Sequence, residues 1–301
     1  MKFDKSIHNI VYRENVFPTL GVRPLQSGIN DMIKSNFANT LLHIQTNNID
    51  CDAVEYSYKN KKITAYFSKN NMQKGYIDHP IILRLDSLRN SKNNDLQAMV
   101  AIHESGHAIM QILEFNRLPL TIMSVTADSN SKGFMLSGWE EDKLTNKNNV
   151  NQKLKVYLGG RAAETIIFGE DFVTTGSMGD LEDATELIMN TYRLWGMKGT
   201  LGSYTLSSDD DTLMQEHDWY LHQSCAESEL LQIMQATVEQ LRKYKPLLLQ
   251  LGKYLSEHSS ISQIKLKKLL EKYSDIDVSK LKSEHEKTNY GYKDKLNKLL
   301  G

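Results

Sequence analysis

Cysteine is nearly absent from this chain: two in 301 residues, Cys51 and Cys225, far apart and neither in a Cys-x-x-Cys pair. That argues against a disulfide framework or a paired-thiolate zinc site, and fits a reducing, cytoplasmic setting. Long apolar runs are also missing. No stretch reaches the ~18 residues of a membrane-crossing helix, so no transmembrane segment is expected and membrane association would come through a partner or a segment outside this sequence. Met1-Lys2-Phe3-Asp4-Lys5 lacks the apolar segment of a secretory signal. The charges almost cancel, 36 Lys and Arg against 37 Asp and Glu, so no basic surplus points to nucleic acid. Nor is there a Gly-x-x-x-x-Gly-Lys-[Ser/Thr], so the chain has no P-loop with which to bind ATP.

The 40% of hydrophobic residues suffices for a substantial core, in one large domain or two smaller ones. The pattern favours a mainly α protein with a small β-sheet, in which a small α+β domain (1–90) precedes a helical domain (91–273) and a charged tail (274–301). In the first domain, Phe17 to Leu25 is rich in turn residues and Gln26 to Gln45 carries helical spacing. Two alternating segments, Ala53–Tyr58 and Ile63–Phe67, read as a hairpin around Lys59-Asn60-Lys61-Lys62. Asn70 to Pro80 reads as a polar connector. In the second domain helices are expected near 94–114, 150–168, 180–196, 213–244, 246–257 and 262–273. Leu120–Thr126 has strand character and Gly133–Leu136 can pair with it, around a turn at Asp128–Lys132. Lys143 to Asn151 reads as a polar loop.

The densest chemical signal is His103-Glu104-Ser105-Gly106-His107, set in an apolar helical run from Leu96 to Met110. Four residues make just over one helical turn, so the two imidazoles share a face and can hold one zinc ion. Glu104 sits beside that ion and can carry a proton from water to a leaving amine. A catalytic zinc needs a third ligand. The candidate is Asp180, delivered by Thr174-Thr175-Gly176-Ser177-Met178-Gly179-Asp180 at the start of a helix. Spacing alone reads Asp180 equally well as a helix cap, and Asp183 can occupy a neighbouring position on the same face. The other histidines lack ligand-like neighbours: His217 and His222 are five apart, and His8, His43, His79, His258 and His285 stand alone.

Three blocks in order resemble the zinc peptidase domain of FtsH-type AAA proteases, over residues 95 to about 273. They are His103-Glu104-Ser105-Gly106-His107-Ala108; Gly159-Gly160-Arg161-Ala162-Ala163-Glu164 with Ile166-Ile167-Phe168-Gly169; and Thr174 to Leu181 with Ala184-Thr185, Trp195-Gly196-Met197 and Leu201-Gly202. The resemblance implies a zinc-dependent metalloendopeptidase with His103, His107 and Asp180 on the metal and Glu104 as general base. It implies a supporting role behind the ligands for Glu164, whose pattern reads equally as a buried ion pair with an arginine. Gly159 and Gly160 read as allowing close helix packing. The family usually has Ala at Ser105 and Asn at Gly179; the second departure bears on loop rigidity or rate. An unfolded polypeptide substrate is expected, added as a strand to the edge near Thr121–Thr126. A homo-oligomer, hexameric in the family, and an AAA ATPase module or partner are also implied. Leu20-Gly21-Val22-Arg23-Pro24-Leu25 and the elements after it are weakly similar to the lid subdomain of Clp-type AAA proteins, where Arg23 would sense nucleotide. A catalytically silent subunit and a structural or non-proteolytic zinc protein are the rival readings.

Overall fold

A computed structural model describes residues 1–16, 23–83, 90–125, 133–137, 145–199, 201, 203, 212–282 and 291–300, without the side chains of 23, 212–219 and 221. The chain divides into two units, Met1–Asn90 and Ser91–Gly301.

In the first unit, β1 (Lys2–Phe3), β2 (Ala53–Lys59), β3 (Lys62–Lys69) and β4 (Met72–Pro80) form one sheet in that order, β1 parallel to β2 and the rest antiparallel. Both hairpins turn on two left-handed residues, Asn60-Lys61 (φ 52° and 61°) and Asn70-Asn71 (φ 52° and 64°). This is the type I′ geometry that matches strand twist, and asparagine tolerates it well. The stretch expected to be a connector is therefore strand β4. Its apolar alternation is faint, because inward-facing Ile77 and His79 include only one aliphatic side chain. Tyr56, Ile63, Ala65 and Phe67 on the sheet pack against Ile7, Ile10 and Val11 of α1 (Lys5–Asn15). The expected helix after residue 26 is three segments: α2 (Arg23–Ile29), a π-helical turn (Asn30–Lys34) and α3 (Ser35–Thr46). Leu20, Gly21, Val22 and the Arg23 side chain, on which the lid comparison depends, lie outside the described residues.

The second unit is organised around α4 (Asp95–Phe115). The Asn94 side chain caps it by accepting the Gln97 N–H at 3.0 Å, and left-handed Asn116 (φ 52°) ends it. Its middle is buried on all sides: every residue from Val100 to Ile112 is buried. A helix buried all round needs close neighbours, and glycines provide the room. A Cβ added at Gly106 would lie 2.2 Å from the Gly159 carbonyl oxygen of α6 (Gly159–Phe168), and one at Gly252 of α9 (Lys245–Glu257) 2.2 Å from Ile102 Cδ1. Leu247, Leu248, Leu251 and Leu255 of α9 and Leu266 and Leu270 of α10 (Gln263–Tyr273) complete the main core. Each large aliphatic side chain so buried contributes ~1.5–3 kcal/mol.

Where one helix was expected over 150–168 there are two, α5 (Lys147–Tyr157) and α6, redirected at Leu158. The Gly159-Gly160 pair, weak in helix propensity, permits the break. α5 starts inside the expected polar loop, because Asn146 accepts the Asn149 N–H at 3.0 Å and caps it. α7 (Met178–Arg193) and α8 (Thr212–Arg242) enclose a second cluster around Ile188, Leu154 and Ala226. Beyond residue 273, Ile276, Val278 and Leu281 still pack on the main core, so the unit extends past the expected start of the tail. The chain then reaches the exposed helix α11 (Tyr292–Leu300). Among the described residues no helix is long and apolar enough to cross a membrane.

The second sheet corrects one expectation. β5 (Thr121–Met123) pairs with β6 (Phe134–Leu136) on one side and β7 (Ser260–Ile261) on the other. β5 is central and offers no open edge. Among the described strands the open edges belong to β6 and β7, and Phe134 and Met135 of β6 border the cleft that contains His103 and Glu104. The Asp128–Lys132 turn lies outside the described residues.

Candidate active site

Three ionisable side chains of α4 face inward: His103, Glu104 and His107, 7%, 7% and 6% exposed. Burial of such groups is costly unless each is paired, so their partners identify the site's purpose. His103 Nδ1 lies 2.7 Å from Glu164 Oε1. Glu164, on α6, is fully buried, and its other oxygen accepts the Thr174 N–H at 2.8 Å. Among the described residues, its partners are His103 and Thr174 rather than an arginine. His107 Nδ1 donates to the Val156 carbonyl at 2.7 Å. A carbonyl only accepts, so Nδ1 carries a proton, and Nε2 is the atom turned toward His103 and Asp180.

Both Nε2 atoms therefore face one point. They are 3.0 Å apart, and Asp180 Oδ2 is 3.0 Å from that of His103 and 3.3 Å from that of His107. All three donor atoms lie within 4.8 Å of one another. Asp180 is in the first turn of α7, but its carboxylate is used on the imidazoles, and Ser177 at the helix start makes no side-chain cap bond. Asp183, one turn on, borders the same cleft of about 670 Å³, with Met99, Phe134 and Thr175 also on its wall.

The electrostatics follow from burial opposed by pairing. Burial works against the charged His103, but hydrogen bonds to Asp180 and Glu164 outweigh it and push the imidazole up to about 10. Burial raises the Asp180 carboxyl, yet hydrogen bonds from His103 and His107 hold it well below the usual carboxylate range. Glu164 is likewise lowered: burial is overcome by His103 and the Thr174 N–H. Glu104 goes the other way. Burial pushes it up to about 7, only partly offset by His107 and His103.

Two glycines do more than the sequence reading gave them. A Cβ at Gly160 would fall 2.5 Å from His103 Cε1 and Nε2 and 2.6 Å from His107 Nε2. The space in front of the donor atoms exists because residue 160 has no side chain. Gly159, by contrast, serves close helix crossing as expected. Gly133 lies over the general-base candidate: its Cβ would be 2.3 Å from Val100 Cγ1 and 3.1 Å from Glu104 Cγ. Of the two departures noted, Ser105 is accommodated because its buried hydroxyl donates to the Ala101 carbonyl at 2.6 Å. Gly179 has nothing within 4 Å of where a Cβ would go. His79 is buried and bonded to Thr40 at 2.8 Å, a core histidine remote in sequence from the metal-ligand motifs.

The model of peptidase family M41 matches residues 91–281, more than half of the chain. The chain belongs to peptidase family M41. The chain is similar to the ATP-dependent zinc metalloprotease FtsH 4 of Sphaerobacter thermophilus, 29% identical over 184 residues, which are 57% of this chain and 28% of the relative. It is similar to FtsH 3 of Petrotoga mobilis, 29% identical over 223 residues, 67% of this chain and 34% of the relative. It also matches FtsH of Thermotoga maritima, 39% identical over 106 residues, 35% and 17% of the two chains. The chain thus spans about a third or less of these relatives. It carries an FtsH-family zinc metalloprotease domain, and the His-His-Asp group is the candidate metal site within it.

Proposed function

We propose that this chain is a zinc-dependent metalloendopeptidase that cleaves unfolded or ATPase-delivered polypeptides. The carrying observation is the convergence of His103 Nε2, His107 Nε2 and Asp180 Oδ2. Two imidazoles and a carboxylate are a donor set suited to zinc, with a fourth position left for water or substrate. Each imidazole uses its other nitrogen on a carboxylate or a carbonyl, as metal-ligating histidines ordinarily do. The cradle that a Gly160 side chain would fill supports the same fit. When bound, zinc supplies Lewis acidity, polarising a peptide carbonyl and acidifying water.

The protein's own groups do the rest. Glu104, adjacent to His103 in the chain and bordering the same cleft, takes the proton of the attacking water and returns it to the departing amine. Burial raises its carboxyl above the ordinary carboxylate range, which suits a group that must both accept and release a proton. Glu164 holds the His103 ring against rotation. The open edge of β6 offers main-chain donors and acceptors to an extended chain, which favours unfolded substrates over any particular sequence. ATP dependence and ring assembly are carried over from the relatives' names and family habit, and need a motor outside these 301 residues.

Zinc content measured together with casein cleavage tests this, on the chain and on Glu104→Gln, with and without chelator. About one zinc per chain, with cleavage lost in Glu104→Gln and in chelator, is the expected result. Zinc without cleavage, alone and with an added FtsH-type ATPase, supports the silent-subunit reading. A folded protein that takes up no zinc overturns the proposal.

A further inference from the structure

Gln111 stands one helical turn beyond His107 and two beyond His103, so it shares the ligand-bearing face of α4. It is fully buried. Its side-chain Nε2 donates to the Ser137 carbonyl at 2.9 Å and lies 3.5 Å from the Arg117 carbonyl. Ser137 directly follows β6, and with Phe134 and Met135 it lines the cleft that contains His103, Glu104 and His107.

We propose that Gln111 is a positioning residue for substrate: it pins the Ser137 end of β6 to the helix that carries the two histidines, and so sets the open β6 edge at a fixed height over the reacting centre. This role rests on the peptidase reading and adds to it a residue outside the His-Glu-x-x-His motif. The need for an anchor comes from the strand. β6 is three residues long and, among the described strands, ladders with β5 alone. Few bonds hold so short a strand in place when an extended chain pairs with its other edge. The choice of an amide comes next. Gln111 Oε1 has no hydrogen-bond partner among the described residues. A buried acceptor left unpaired destabilises a fold, and an aliphatic side chain of similar volume would avoid that loss. Met110 and Ile112 on either side belong to the apolar core. What an amide adds at this position is the donor for the Ser137 carbonyl. The anchor is also direct: His103, His107 and Gln111 sit on one rigid helix, so the spacing between donor atoms and strand does not depend on a loop.

Gln111→Met keeps the volume and removes the donor, and Gln111→Leu repeats the removal in a different shape. Both are compared with wild type for zinc content and urea midpoint. Fluorescein-labelled casein, an unfolded chain, is titrated by anisotropy and assayed for cleavage. Zinc should stay at about one per chain, because Glu164 and the Val156 carbonyl still hold the two imidazoles. The urea midpoint should hold or rise, since an unpaired acceptor is removed with the donor. KM and the dissociation constant for casein should both rise about tenfold with kcat changed far less, the pattern of lost substrate binding. A lower urea midpoint with KM and binding unchanged makes Gln111 a structural residue and overturns the proposal, as does failure of both variants to fold. Cleavage with unchanged KM overturns it while leaving the peptidase reading in place. Weaker casein binding by the variants of a chain that holds zinc but does not cleave keeps the anchoring role and counts against the peptidase reading.

Discussion

Glu164 and His103 are joined across two helices by a 2.7 Å contact that turns the histidine's Nε2 toward Asp180. The carboxylate is itself held, because its second oxygen accepts the Thr174 N–H. Glu164→Gln keeps the shape and removes the charge. Zinc affinity, read by competition with a fluorescent chelator, should fall about 10–100-fold while thermal stability of the fold is retained. Unchanged affinity would make Glu164 a packing residue.

Gly160→Ala introduces a methyl group 2.5 Å from the His103 ring. A clash with a ring already held by Glu164 cannot relax cheaply. The expected outcome is a folded chain by circular dichroism whose zinc content drops from about one per chain to nearly none.

Gly179 is helical, with free space around it. Gly179→Ala should raise the urea midpoint, corresponding to about 0.5–1 kcal/mol, because the unfolded chain loses freedom and nothing is displaced. A destabilised variant would mean that this turn of α7 must flex.

Protons compete with metal at the same atoms. With His103 pushed up to about 10, the imidazole carries its extra proton throughout the neutral range, and the ion must expel it. Apparent zinc affinity should rise about tenfold per pH unit between 7 and 10 for each proton released. Calorimetry in two buffers of different ionisation enthalpy counts those protons. The stability sign is set by the same shift. A histidine raised above its ordinary 6.5 stabilises fully below 6.5 and loses that contribution as pH rises toward 10, and Glu104, raised above 4.5, weakens the fold from 4.5 through 7. The chelated chain should therefore melt progressively lower on going from pH 6.5 to 10, and a flat profile would contradict the shifts.

The parts legible in the sequence were those with a period or a motif. Val100 to Met110 announced a buried helix, and the His-x-x-x-His spacing set its imidazoles on one face. The Asn70-Asn71 turn signals β4, but β4 itself has too few aliphatic residues to show the alternation of a strand. The position of β5 between two strands was not legible: β7 is two residues long and lies more than 130 residues downstream, and no local pattern announces such a pairing. Gly160 was ambiguous for a different reason. A glycine that makes room for a helix and one that makes room in front of two imidazoles look the same until the neighbouring helix is in place.

The helix that bears the two histidines ends at Phe115, yet the groups that bury it are supplied much later, by Gly252 and the leucines of α9 and by β7 at Ser260–Ile261. During vectorial synthesis the ribosome must therefore release more than half of the remaining chain before α4 has its packing partners. A nascent chain at that stage cannot hold its cleft in shape. The order of the elements along the polypeptide thus leaves the cleft without much of its support until α9 and β7 have been made.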